Sequence, residues 1–169
     1  MTRAQVLIAG NPNCGKSTLF NALSGGGAHV GNYPGVTVDR TTASLSLPGG
    51  VVELVDVPGT YSLTASSPEE ELAVQALRED ATRAVVCVVD ATTLARGLYL
   101  TLQLLESGVP VIVALNMMDA AKQLGLDIDV ERLSKRLGAP VVPVVATKRA
   151  GVDALRKELG AALPKHPPN

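Results

Sequence analysis

Gly10-Asn11-Pro12-Asn13-Cys14-Gly15-Lys16-Ser17 has the spacing G-x-x-x-x-G-K-[ST] of a phosphate-binding loop. Glycines let the backbone wrap an anion. Successive N–H groups, together with the N-terminus of a following helix, supply positive potential. In this arrangement Lys16 reaches the β- and γ-phosphates of a nucleotide and the Ser17 hydroxyl reaches Mg²⁺. Asn11, Asn13, Cys14, Gly15 and Thr18 are the further loop candidates. A glycine-rich turn ahead of a helix is the bland alternative. The context favours the loop: Gln5 to Ala9 is an apolar, strand-like run, and Lys16 to Leu23 places Leu19, Phe20 and Leu23 on one helical face.

Three further strings extend the chemistry. Asp56-Val57-Pro58-Gly59 closes a predicted strand, where a carboxylate can hold Mg²⁺ through a water and the Gly59 N–H can bond a γ-phosphate. Asn116-Met117-Met118-Asp119 follows another strand; an aspartate there accepts two N–H bonds from guanine, which adenine cannot supply. The familiar form of that motif has lysine where Met117 stands, so only an aliphatic stem is left to cover a base. Asn116 as a strand-end residue and Asp119 as a helix cap is the competing reading. In Val145-Ala146-Thr147, the backbone N–H of Ala146 is the candidate reader of guanine O6.

Gly35 and Thr37 lie in Val30-Gly31-Asn32-Tyr33-Pro34-Gly35-Val36-Thr37-Val38, whose two glycines and proline predict an irregular, mobile segment. A threonine hydroxyl that reaches Mg²⁺ only when a γ-phosphate is present would make this segment a switch. Taken alone, Thr37 reads better as an ordinary loop or strand-entry threonine.

The elements that must position these residues follow from periodicity and turn chemistry. Thr41 to Leu47 and Val51 to Val57, separated by Pro48-Gly49-Gly50, read as a hairpin. Ser67 N-caps a helix that begins at Pro68 and runs to about Arg78, its early acids facing the helix dipole. Strands are predicted at 84–90, 109–116 and 141–145, with helices at 94–106, 130–137 and 152–163. This is α/β alternation: a mostly parallel sheet with one antiparallel hairpin strand and helices on both faces.

The composition agrees. Of 169 residues, 46% are apolar but only 2% aromatic, so Val, Leu, Ala and Ile must build the core, as in parallel strands buried on both faces. The net charge of −1 argues against a nucleic-acid partner. No run approaches the ~18 apolar residues of a transmembrane helix. Met1-Thr2-Arg3 leads straight into a strand, leaving no room for a signal peptide. Cys14 and Cys87 match no metal spacing; Cys87 reads as a small buried hydrophobe, and cytoplasmic exposure is the simplest inference. One histidine, His29, without nearby acids or thiols is not a metal site. Tyr61 and Tyr99 read as packing residues.

In these strings the chain resembles the TRAFAC class of P-loop GTPases (a Ras-like fold), and more narrowly the N-terminal G domains of bacterial ferrous iron transport protein B. Gly10-Asn11-Pro12-Asn13, Val30 to Val38, Asp56-Val57-Pro58-Gly59-Thr60-Tyr61-Ser62-Leu63 and Asn116-Met117-Met118-Asp119 carry the resemblance. Val89-Asp90-Ala91-Thr92 and Arg96-Gly97-Leu98-Tyr99-Leu100 add to it. The resemblance spans residues 4 to 163. Many members have serine or threonine at Cys14 and at Ser17; the exchange at Cys14 is conservative because that position contributes mainly its backbone.

The resemblance implies a GTP-binding domain over residues 1–163 with a linker at 164–169, without the helical regulatory and membrane portions. Its ligands would be GTP or GDP with Mg²⁺ on Ser17, Thr37 and Asp56. In potassium-activated members the residue at Asn13 binds a K⁺ that bridges the phosphates; a turn residue in an awkward conformation is the alternative. Thr60 stands where the Ras-like pattern has a water-orienting glutamine. No arginine between Gly31 and Thr37 can act as a finger, and Arg40 is expected to be a solvated strand residue. Asn13, Lys16, Thr37 and Gly59 are then left to stabilise the transferring phosphoryl group, with slow hydrolysis. The implied role is a switch regulating ferrous iron uptake through a membrane transporter portion, at the cytoplasmic face of the inner membrane. A ribosome- or RNA-associated GTPase and a non-hydrolysing, nucleotide-dependent interaction module are the alternatives.

Overall fold

The computed structural model describes residues 3–163. The expectations of a linker at 164–169 and of a leaderless start at Met1-Thr2 lie outside the described residues. Seven strands form one sheet in the order β2-β3-β4-β1-β5-β6-β7. In chain order these are β1 (Gln5–Gly10), β2 (His29–Asn32), β3 (Asp39–Leu47), β4 (Gly50–Asp56), β5 (Thr82–Asp90), β6 (Val111–Asn116) and β7 (Val141–Pro143). The helices are α1 (Lys16–Ser24), α2 (Pro68–Arg78), α3 (Leu94–Glu106), α4 (Met118–Gln123), α5 (Val130–Leu137) and α6 (Val152–Ala162). None of the described helices is long and apolar enough to cross a membrane.

β1 is central because it can be buried on both sides. It pairs in parallel with β4 (Val6↔Leu54) and with β5 (Leu7↔Val85). The two-residue period of a strand sends Val6 and Ile8 to one face and Leu7 and Ala9 to the other. On the first face they join Val86, Val88 and Ile112 beneath α1 and α6. On the second they join Val85, Cys87, Val89 and Leu115 beneath α2 and α3, with α5 further along. Burying each of these Val, Leu and Ile side chains contributes about 1.5–3 kcal/mol. Cys87 is the buried hydrophobe expected, its thiol pushed up to about 12 by desolvation. α3 approaches β5 closely at Gly97, where a Cβ would come within 2.7 Å of Val89 Cγ1.

The fold class is the one expected. Two elements were not. β2 pairs antiparallel with β3 (Val30↔Thr41), so three strands, not one hairpin, run antiparallel at this edge. Its four residues are all exposed and carry no alternation, so main-chain hydrogen bonding alone builds it. The irregular segment therefore shrinks to 33–38. α4 is a single short helix after Met117, with only Ala121 buried. Ser67 does cap α2, its Oγ accepting from the Glu70 N–H at 3.2 Å, with Pro68 in the first turn.

Candidate nucleotide-binding site

β1 ends at Gly10 and α1 begins at Lys16, so the intervening loop lies at the carboxyl edge of the sheet. Asn13 and Gly15 both have positive φ, 65° and 89°. Gly15 is required twice: its conformation disfavours a side chain, and a Cβ would sit 2.2 Å from Asn116 Nδ2. Asn11, Pro12, Asn13, Gly15, Lys16, Ser17, Thr18 and Gly59 line one groove of about 410 Å³. The structure thus brings the Asp56–Gly59 string against the loop, with the Gly59 backbone beside Pro12. The Thr60 N–H donates to Gly10 O at 3.1 Å.

Lys16 Nζ is paired with Asp56 Oδ1. Two residues assigned to different ligands, phosphate and metal, hold each other here. Ser17 in the groove and Asp56 beside Lys16 carry oxygen donors of the kind Mg²⁺ takes, whereas Thr37 lies apart from them. Asn13, exposed along the same groove, adds an amide oxygen. Among the described residues no three His, Cys, Asp or Glu side chains cluster as a metal site, and His29 stands exposed on β2. Gly35 and Thr37 are exposed and outside the groove lining. The segment carrying them is anchored by Tyr33, which is buried and donates its hydroxyl to Asp56 O at 3.2 Å. Burial pushes the Tyr33 phenol up to about 12.

The second half of the site is joined to the first by Asn116. Buried at the end of β6, it donates Nδ2–H to Cys14 O at 3.1 Å and accepts the Ala146 N–H on Oδ1 at 3.0 Å. One amide braces three loops. The Ala146 N–H, the candidate reader of guanine O6, is engaged here within the protein. Cys14 accepts through its carbonyl, while its buried thiol is pushed up by desolvation. Met117 takes a left-handed conformation (φ 62°) and lies towards the loop: a Cβ on Gly15 would be 3.5 Å from its Cε. Asp119 Oδ1 accepts the Ala120 N–H at 2.9 Å, and its Oδ2 pairs with Lys148 Nζ at 3.4 Å. The Ala120 N–H and then Lys148 hold this carboxyl below the usual range. Val145 bridges to Ala150, and Thr147 is exposed beside Lys148.

Other expectations were revised. Tyr61 and Tyr99 are more than half exposed and do not pack in the core. Arg40 is half-buried and meets Glu53 across β3 and β4 at 3.5 Å. Thr60 is buried among Leu7, Ala9 and Val57 and is not turned towards the groove. Lys148 escaped the sequence reading, and Glu70 was read only as an acid facing the helix dipole. Lys148 follows the Val145–Thr147 string directly, and its charge was the available signal. Glu70 gathers the Ser62, Thr64 and Ser66 hydroxyls and the Ser66 N–H at 2.9–3.0 Å; the run of hydroxyl residues before α2 was its signal.

Sheet order, loop and groove define a P-loop nucleotide-binding domain. A family model described as ferrous iron transport protein B matches residues 4–159. The Fe(2+) transporter FeoB of Legionella pneumophila (strain Lens) is 48% identical over 163 residues, covering 94% of this chain and 21% of the relative. The cytosolic domain of L. pneumophila FeoB superposes with a TM-score of 0.89 at 45% identity, over 96% of this chain and 70% of that one. An S. thermophilus NFeoB variant bound to GDP gives 0.86 at 42% identity, over 95% and 63%. The chain belongs to the ferrous iron transport protein B family and corresponds to its N-terminal G domain. It spans about a fifth (21%) of the length of the curated relative.

Proposed function

We propose that this chain binds guanine nucleotides and hydrolyses GTP slowly, as the switch that regulates ferrous iron passage through a membrane portion of the same protein. The observation that carries this reading is the Asn116 brace. It ties Cys14 of the phosphate loop to Ala146, which supports reading Lys16 and Asp119 as parts of one site. The GDP bound to the S. thermophilus relative supports the choice of nucleotide.

In this reading the loop N–H groups and Lys16 receive the phosphates, and Asp119 accepts the two guanine N–H groups that adenine lacks. Ser17, Thr37 and Asp56 would hold Mg²⁺ and Asn13 would hold K⁺; these cations neutralise charge on the phosphates. Lys16 must leave Asp56 to do its part. Thr60, buried and bonded through its N–H to Gly10, has no side chain free to orient water. Backbone groups of 33–38 and of Gly59 are left to place it, which accounts for slow turnover.

The test is GTP hydrolysis by this chain in matched KCl and NaCl, with ATP as control. Turnover confined to GTP and faster in K⁺ is expected. Tight GTP binding without turnover in either salt would replace hydrolysis by a nucleotide-dependent interaction module. Equal hydrolysis of ATP would reduce Asp119 to a helix cap.

A further inference from the structure

The base end of the site is short of a cation and of a donor. Met117 occupies the place of the familiar lysine and directs its methyl towards Gly15. The Ala146 N–H, the expected partner of a purine 6-carbonyl, donates to Asn116 Oδ1. Lys148 is a cation and donor that stands nearby. Its ammonium stands 3.4 Å from Asp119 Oδ2, on the carboxylate that would read the base.

The backbone beneath it is fixed. Lys148 closes a 3₁₀ turn through its N–H to Val145 O at 3.0 Å, and Arg149 follows in the left-handed region (φ 56°). Val145 and Ala150 then exchange hydrogen bonds at 3.0 and 3.2 Å, so the loop is a pinned hairpin. The Asp119 carboxylate is held from its other side by the Ala120 N–H. The lysine side chain itself is 69% exposed, and a bound base would cover it.

We infer that Lys148 is a specificity-determining residue, spanning from its own loop to Asp119 and presenting an ammonium to a purine with an acceptor at position 6. Guanine offers O6 and N7 as acceptors on that edge; adenine places a donor amino group there, which an ammonium cannot bond. This inference rests on the guanine-nucleotide reading and deepens it. It also assigns the compensation for Met117: the missing charge returns from a different loop.

Calorimetric titration of the chain with GDP and with ADP tests it, in the wild type and in Lys148→Met, Lys148→Gln and Lys148→Arg. The lysine is exposed, so melting temperatures should not move. The neutral variants should bind GDP about fivefold more weakly, the equivalent of ~1 kcal/mol for an exposed ionic contact. ADP binding should hold or tighten, and Lys148→Arg should restore the wild-type GDP to ADP ratio. A wild-type preference for GDP that survives intact in both neutral variants overturns the inference and leaves the guanine reading standing. A wild type that does not distinguish GDP from ADP overturns the guanine reading itself, and the inference with it.

Discussion

Lys16 and Asp56, the expected phosphate and Mg²⁺ ligands, form an ion pair with each other beside the phosphate-binding loop. On the proposed reading nucleotide with Mg²⁺ separates them, and the pair then competes with binding. Asp56→Asn frees Lys16. It should leave GDP affinity in EDTA equal to or slightly above wild type, while lowering Mg²⁺-dependent GTP turnover on the order of a hundredfold. Calorimetry with and without Mg²⁺, alongside a phosphate-release assay, checks this. An equal loss of GDP affinity in both conditions would show that the pair does not compete with nucleotide.

Asn116→Ala should destabilise the domain even without nucleotide. It strands the Cys14 carbonyl and the Ala146 N–H, a loss of about 2 kcal/mol. In a domain of this size that lowers Tm by about 4–8 °C. Gly15→Ala should damage the same brace by driving a Cβ into the amide. Thermal melts of both variants in nucleotide-free buffer measure the effect.

The sheet core and the phosphate loop are legible from the sequence because each has a strong local pattern. β1, β5 and β6 are near-continuous apolar runs, and the loop has fixed spacing. β2 was not legible: His29, Val30, Gly31 and Asn32 are all exposed, so no side-chain periodicity marks a strand that only main-chain bonds to β3 define. The division of labour at the base end was hidden for another reason. Whether the Ala146 N–H faces a ligand or Asn116, and whether Lys148 reaches Asp119, depends on loops brought together from distant parts of the chain.

Asn13→Ala should abolish the K⁺ stimulation of turnover and leave nucleotide affinity within about threefold, since an exposed side chain carries little of the groove's own structure. Hydrolysis rates in KCl and NaCl, each with a parallel binding titration, decide it. Stimulation that persists in the variant would remove Asn13 from the cation site.

Glu70 holds Ser62, Thr64 and Ser66 as an anion, the Ser66 N–H first and the hydroxyls next lowering its pKa to about 2 from the ordinary 4.5. A depressed carboxyl stabilises the fold above its unfolded pKa. The clasp is thus complete above about pH 4.5 and is lost as pH falls towards 2. Hydrogen exchange of residues 62–67 should be faster in Glu70→Gln than in wild type at neutral pH, and the two should converge on acidification within that window.

Tyr33 gives the opposite sign at the alkaline end. Its phenol ionises near 10 when unfolded and at about 12 when folded, so the unfolded chain loses its proton first. Stability from this group is complete below pH 10 and falls away as pH rises to 12. Alkaline unfolding should therefore be less steep in Tyr33→Phe than in wild type over that interval. At neutral pH the variant should lose about 1 kcal/mol with the hydroxyl bond to Asp56 O.

The antiparallel edge has a consequence for how residues 33–38 can move. β2 ends at Asn32 and β3 begins at Asp39, opposite each other in register. The six residues between them hang from two adjacent points of one sheet. Within that span the Tyr33 N–H donates to Val38 O at 3.0 Å and the Val36 N–H to Tyr33 O at 3.3 Å. Ordering six free residues would cost about 1–2 kcal/mol each. Much of that loss of freedom has already occurred in the fold, so a ligand that draws in Thr37 meets a short doubly tethered arc. With both ends fixed, any rearrangement of Gly35 and Thr37 is confined between Asn32 and Asp39.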